Sequence, residues 1–253
     1  MHAHISAKDV CLDIPIYEPG SMRLFRKPHL KASVGASIGR KGRIPFVQAL
    51  ENISFDIQSG DRVALVGHNG SGKTTLLKVL ARIYEPDSGE IKISGSIGSI
   101  LDIGTALIED LTGYECINLY CRYKQLPNDA IAALVADMEE FTELGDFLSL
   151  PVRTYSAGMR SRLSAGLATS LTYDILLIDE GIGAGDAEFQ ERFKKRVNNY
   201  LESAPILMLA SHSEAMLREY CNRGLVLQHG QLKFTGSVDE ALDYYAQSPS
   251  DRI

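Results

Sequence analysis

Two rhythms of apolar residues divide the chain into strands and helices. Val10, Leu12, Ile14 and Ile16 alternate with other residues, and Leu50, Ile53, Phe55 and Ile57 lead in a similar way to a Ser59-Gly60-Asp61 turn. Alternation marks a strand with one face on a core. The first segment is therefore expected as an edge strand over 5–17, and the second as an antiparallel strand. Continuous apolar runs at 62–66, 173–178 and 205–210 read instead as strands buried on both faces. Helical spacing appears at Leu76, Leu77, Val79, Leu80 and Ile83. It returns at Ile131, Leu134, Val135, Met138 and Phe141, with Asp137, Glu139 and Glu140 off that face. Residues 112–148 read mainly as helix and 189–201 as a charged helix. Pro86-Asp87-Ser88-Gly89 is a turn by its chemistry, followed by short strands near 90–93 and 96–101. Segments 224–227 and 231–234 suggest a hairpin about His229-Gly230, and Ser237-Val238-Asp239-Glu240 is a capping box. The pattern predicts an α/β fold with a mostly helical insert between two parts of its sheet.

Composition sets bounds on this picture. A chain of 253 residues can bury a full core as one large domain or as a domain with a subdomain. Hydrophobic residues make up 45% and charged residues 23%, the balance of a soluble globular protein. No apolar run approaches the ~18 residues that span a bilayer, and Met1-His2-Ala3-His4 opens no signal-peptide pattern. Any membrane role is expected to come through a partner. A net charge of −6 argues against a general nucleic-acid binder. Cys11, Cys116, Cys121 and Cys221 form neither a C-x-x-C pair nor a metal-ligand spacing with histidine, as for reduced, mostly buried thiols of a cytoplasmic protein. Residues 19–50 carry Arg23, Arg26, Lys27, Lys31, Arg40, Lys41 and Arg43 without one acidic residue. This basic insertion, over about 19–45, reads as a solvated loop or as a surface facing anionic lipid or a membrane partner.

Candidate chemistry changes the picture further. Gly67-His68-Asn69-Gly70-Ser71-Gly72-Lys73-Thr74-Thr75 fits G-x-x-x-x-G-K-[ST] and sits between a buried strand and a helix, the context that motif requires. Glycines let the backbone wrap phosphate oxygens, and a helix N-terminus adds N–H groups and a favourable dipole. Gly67, Asn69, Gly70, Ser71, Gly72, Lys73, Thr74 and Thr75 are therefore expected to bind a nucleoside triphosphate. Lys73 would reach the β/γ-phosphates and Thr74 would ligate Mg²⁺. The run at 173–180 ends in two carboxylates, Asp179 positioned for Mg²⁺ and Glu180 positioned to orient or deprotonate a water. His212 follows the end of another sheet strand, where ligands bind in open α/β folds, and is expected at the γ-phosphate.

Tyr155-Ser156-Ala157-Gly158-Met159-Arg160, just before a helix, resembles the signature of ATP-binding cassette proteins, usually L-S-G-G-Q. Ser156 and Gly158 match; Ala157 and Met159 depart. Phosphate loop, helical insert, signature, carboxylate strand and histidine follow in that family's order, so the resemblance covers about residues 50–236. Within the superfamily the chain is similar to ATP-binding subunits of O-antigen and related polysaccharide exporters. Leu111-Thr112-Gly113-Tyr114-Glu115, Pro151-Val152-Arg153-Thr154-Tyr155-Ser156, Gly185-Asp186-Ala187-Glu188-Phe189-Gln190 and the basic insertion carry that likeness.

The resemblance implies an α/β phosphate-loop NTPase core of the cassette type: a mixed sheet flanked by helices, an antiparallel β subdomain and an inserted helical subdomain at about 105–170, with 1–253 as one nucleotide-binding domain and no C-terminal carbohydrate-binding domain. It implies an ATPase at the cytoplasmic face of the membrane that drives export of a polysaccharide or lipid-linked glycan, with ATP and Mg²⁺ as cofactors. Its partners would be a second copy of the chain and a polytopic permease that makes most of the glycan contacts, with no nucleic acid. In the head-to-tail pair, Ser156 and Gly158 of one copy cap ATP on the loop of the other. Asp186 keeps only the aspartate of the usual S-A-L-D loop. Asp102 stands near the family's usual glutamine and is expected as a Mg²⁺ or water contact. Tyr17 and Phe46 compete for the adenine stack, and Tyr17 is taken as the contact. Other readings are an ATPase of a teichoic-acid, capsule or import system, or a soluble cassette protein.

Overall fold

The computed structural model describes residues 3–16, 37–41, 44–100, 107–179 and 187–248. Its elements run β1 (His4–Pro15), β2 (Ser37–Lys41), β3 (Ile44–Gln58), β4 (Arg62–Val66), α1 (Lys73–Leu80), β5 (Ser88–Ser94), β6 (Ile97–Ile100), α2 (Gly113–Tyr123) and α3 (Asn128–Thr142). They continue through α4 (Ala157–Ala168), β7 (Ile175–Asp179), α5 (Ala187–Ser203), β8 (Ile206–Ala210), α6 (Glu214–Tyr220), β9 (Arg223–Gln228), β10 (Gln231–Ser237) and α7 (Val238–Gln247). The chain forms two compact units: Met1–Leu101 with Tyr173–Glu180 and Pro205–Ile253, and Asp102–Thr172 with Gly181–Ala204.

The first unit holds both sheets found among the described residues. One has the order β2-β3-β1-β5; the other has the order β10-β9-β4-β8-β7-β6. In the second sheet every pairing is parallel except the β9–β10 hairpin. The continuous apolar runs occupy its middle: β4, β7 and β8 are buried along nearly their whole length. Parallel strands covered on both faces need that composition. Between the sheets Leu76, Leu77 and Leu80 of α1 pack with Ile5, Leu50, Ile53, Val63, Leu177 and Met208. Truncating one such leucine to alanine costs about 2–5 kcal/mol.

The first strand corrects an expectation. It is interior, because Ile5 pairs with Ile57 of β3 on one side and Ile93 of β5 on the other. Both partners lie far along the chain, and alternation reports a buried face without reporting how many edges are paired.

The second unit is helical. Cys116, Ile117, Cys121, Met138, Leu148, Tyr155, Leu163 and Leu167 make its core. The helix expected to be merely charged, α5, buries Phe189, Phe193, Val197, Tyr200 and Leu201. Its Arg196 donates to both carboxylate oxygens of Asp137 on α3, at 2.8 and 2.5 Å, and to Thr169 Oγ1 at 2.8 Å. The guanidinium also lies 4.2 Å from the Phe141 ring centroid. Asp137 is therefore a tie between helices and not a solvated flank of the apolar stripe. Among the described residues no helix is long and apolar enough to cross a membrane.

Candidate nucleotide site

Three strand ends meet at one level. Leu65 of β4 pairs with Ala210 of β8, and Ala210 pairs with Asp179 of β7. The loop after β4, the Asp179 carboxylate and the segment after β8 therefore converge at the carboxyl edge of the parallel sheet, the ligand-binding edge of such folds.

The loop is shaped by backbone contacts. Gly72, the N-cap of α1, has φ 110 and ψ 1. A Cβ there would sit 2.9 Å from the Ala49 carbonyl oxygen, so both its left-handed conformation and its surroundings demand glycine. Lys73 is buried, and its Nζ donates to the carbonyls of Gly67 at 2.6 Å and His68 at 3.0 Å. Two carbonyl partners offset the desolvation of that ammonium and keep it inside the loop. His212 Nε2 lies 2.9 Å from Asn69 Oδ1, joining the histidine segment directly to the loop.

A cleft of about 240 Å³ opens here. Asn69, Gly70, Gly72, Lys73, Thr74 and Thr75 form its loop wall, Asp179 and His212 the strand-end wall, and Ile14, Val47 and Ala49 an apolar wall. A buried ammonium beside a helix N-terminus suits phosphate. A threonine hydroxyl and a carboxylate lining one cleft are hard oxygen donors, the kind Mg²⁺ uses together with phosphate oxygens and water. The residues present thus fit a magnesium-bound nucleoside triphosphate.

The structure brings Asn69, Gly70, Gly72, Lys73, Thr74, Thr75, Asp179 and His212 together. Gly67 and Ser71 are absent from the cleft lining, and Ser71 is fully buried beneath the loop, its N–H donating to the His68 carbonyl at 3.1 Å. Tyr17, Asp102, Glu180 and Asp186 lie outside the described residues. Phe46 is not among the described lining residues, and Ile14 and Val47, paired across β1 and β3, line the cleft instead. The sequence does not announce this aliphatic wall, because alternation along a strand does not tell a core face from a ligand face.

Ser156 and Gly158 belong to the helical unit. Ser156 caps α4, its Oγ accepting from Met159 N–H at 3.2 Å. At Gly158 a Cβ would meet nothing closer than Ser156 Oγ at 3.8 Å. The preceding segment is latched to the start of α2. Val152 N–H donates to the Leu111 carbonyl at 2.8 Å, Arg153 N–H to the Glu109 carbonyl at 2.9 Å, and Arg160 Nη1 to Glu109 at 2.9 Å. Thr112 caps α2 in a reciprocal box with Glu115. Hydrogen bonds from Thr112, its backbone N–H first, hold the Glu115 carboxyl below its ordinary pKa. Two of the stretches that carried the exporter likeness, 111–115 and 151–156, are thus packed against each other.

A larger groove, about 710 Å³, lies among α3 and α5. Two of its arginines already pair with its carboxylates, Arg196 with Asp137 and Arg192 with Glu143 at 2.6 Å, and its lining includes no phosphate-binding loop. The smaller cleft carries the chemistry.

Comparisons agree with this geometry. The ABC transporter profile matches residues 50–183. The O-antigen export system ATP-binding protein RfbE of Yersinia enterocolitica is 44% identical over 92% of this chain and 97% of its own length. ATP-binding protein BexA of Haemophilus influenzae is 35% identical over 79% of this chain and 90% of its own. The teichoic acids export ATP-binding protein TagH of Bacillus anthracis is 35% identical over 88% of this chain, which spans only 40% of that relative. Among solved structures, an ATP-binding subunit of an ABC transporter aligns with TM-score 0.67 and 22% identity, over 96% of this chain and 93% of the other. A dimeric ATP-binding cassette with ADP and Pi gives 0.65 and 18%, over 92% and 98%. This chain belongs to the ABC transporter family.

Proposed function

We propose that this chain is the ATP-hydrolysing subunit of an exporter that moves a polysaccharide or lipid-linked glycan of the O-antigen kind across the cytoplasmic membrane. The observation that carries the reading is one cleft holding Lys73, Thr74, Asp179 and His212 at the carboxyl edge of the sheet. The full-length likeness to an O-antigen export ATP-binding protein supplies the class of cargo.

In this reading the loop N–H groups and Lys73 bind the β- and γ-phosphates. Thr74 and Asp179 hold Mg²⁺, which when bound offsets phosphate charge as the terminal bond breaks. Glu180 orients or deprotonates the attacking water, and His212, steadied by Asn69, contacts the γ-phosphate. Tyr17, Asp102 and Asp186 are assigned to adenine, to the metal or its water, and to the nucleotide edge by family position alone. Ser156 and Gly158 serve the nucleotide of a second copy. Glycine favours a helix less than alanine does, and among the described residues nothing within 3.4 Å requires it at 158. A requirement from outside the chain, such as close approach by a bound phosphate, accounts for it.

A polytopic permease is the second partner, with the chain peripheral on the cytoplasmic face and the glycan held mainly by the permease. Of the eight large apolar side chains exposed among the described residues, five belong to the helical unit: Ile108, Leu119, Tyr123, Phe147 and Leu150. Such surface suits a protein partner better than solvent.

The test is purification of the tagged chain from detergent-solubilised native membranes, with mass spectrometry of the co-eluting proteins. A polytopic subunit encoded beside glycan-assembly enzymes is expected. Recovery only from the soluble fraction, without a membrane protein, overturns the exporter reading.

A further inference from the structure

The β9–β10 turn lies against the phosphate loop. Strands β4 and β9 are parallel neighbours, with Val66 opposite Val226, so the segments leaving them emerge side by side. His68 is two residues beyond Val66, and His229 three beyond Val226. Their ring centroids are 5.3 Å apart with the planes tilted by 55°. Gly230 N–H donates to the Ser71 carbonyl at 3.0 Å, and the Gly230 carbonyl accepts from Glu51 N–H at 2.8 Å. The turn peptide therefore bridges the loop to β3. Gly230, at φ 76, could take no side chain: a Cβ would lie 2.8 Å from the Ala49 carbonyl oxygen.

The identity of residue 229 needs a separate cause. With φ 50 at His229 and 76 at Gly230, the two-residue connection has the positive φ pair of a type I′ turn. Asn, Asp or Gly fills the first place of such a turn most often; histidine tolerates positive φ but is not among the residues the turn itself selects. The backbone bonds of Gly230 would survive any of them. What histidine adds is a ring against His68, within the loop that receives phosphate. Paired rings contribute beyond the area they bury.

We propose that His229 is a positioning residue for the phosphate loop, holding His68 and with it the first turn of the loop in the shape that accepts phosphate. The C-terminal hairpin thereby sets nucleotide affinity without touching the nucleotide. The inference rests on the reading of 67–74 as the nucleotide-binding loop.

The test is equilibrium binding of N-methylanthraniloyl-ADP to the purified full chain, with thermal unfolding measured in parallel. His229→Asn removes the ring but suits the turn, so Tm should hold or rise while Kd increases about fivefold. In a His68→Ala background the same change should add nothing, because the two rings act as a pair. A Kd within about twofold of wild type overturns the proposal. So does an undiminished effect in the His68→Ala background, and so does a fall in Tm that accompanies the loss of affinity. Lys73→Ala separates this from failure of the underlying reading. If Lys73→Ala abolishes binding and His229→Asn does not weaken it, the positioning role alone is lost; if Lys73→Ala binds normally, the loop assignment falls too.

Discussion

At the scale of single residues, His212 is tethered to the phosphate loop by its side chain. Its Nε2 meets Asn69 Oδ1 at 2.9 Å on the wall of the cleft, while the side chain remains exposed. An exposed imidazole contributes little to the core, so His212→Ala should fold with an unchanged Tm. A contact aimed at the γ-phosphate acts on the transition state more than on ground-state binding. Hydrolysis by His212→Ala should therefore slow by about 10²-fold with nucleotide Kd nearly constant. Equal hydrolysis rates in steady-state phosphate release would return the histidine to a structural role. Much of this site was legible from residue types alone, because lysine, threonine, aspartate and histidine at strand ends are few and chemically specific. Ile14, Val47 and Ala49 were not: aliphatic residues on a strand look alike whether they face a core or a ligand. His68 and His229 were hidden for another reason, since only the parallel β4–β9 pairing brings residues so far apart in sequence together.

At the scale of elements, local chemistry and long-range pairing differ in how much they declare. The capping box at Ser237 and Glu240 could be read directly and opens α7. The same T-x-x-E pattern at Thr112 and Glu115 opens α2, but first drew notice only as part of a family likeness. Both boxes complete what a helix start lacks: the hydroxyl takes one orphan N–H and the glutamate returns to the cap's own N–H. Hydrogen bonds from Thr112 lower the Glu115 pKa in the fold, its backbone N–H contributing first. A carboxylate with a depressed folded pKa stabilises fully above its unfolded value, about 4.3 for glutamate, and loses that contribution as pH falls through the folded value. Glu115→Ala should thus lower Tm near neutrality, and the gap to wild type should close below about pH 4. Circular dichroism melts across that range check it; a gap that persists in acid would mean the carboxylate charge is not what holds the cap. The interior place of β1 is the opposite case. Its partners β3 and β5 are separated from it in sequence, and no local rhythm records a count of neighbours.

At the scale of the whole molecule, the proposed head-to-tail pairing gives one chain half of each of two sites. Its phosphate loop belongs to the unit that contains both sheets, and its signature serine and glycine to the helical unit. Ser156 and Gly158 sit at an exposed helix start whose N–H groups suit phosphate, and among the described residues nothing comes closer to a Cβ at Gly158 than Ser156 Oγ at 3.8 Å. Two copies arranged head to tail would supply each loop with the other's signature, so bound ATP becomes part of the interface. Nucleotide bridging both copies favours the dimer by mass action, and hydrolysis removes that linkage. Glu180→Gln keeps the shape of the proposed base but cannot take a proton, so ATP should bind and remain. This variant is expected to accumulate as a dimer in ATP and to revert to monomer in ADP, as read by light scattering, with turnover reduced by at least about 10²-fold. Adding Ser156→Arg, which places a bulky side chain where the opposing phosphate would arrive and removes the α4 cap, should abolish that dimer with only a modest fall in Tm. A Glu180→Gln variant that stays monomeric and hydrolyses ATP normally would remove Glu180 from the chemistry. A dimer that survives the arginine would locate the interface elsewhere on the molecule.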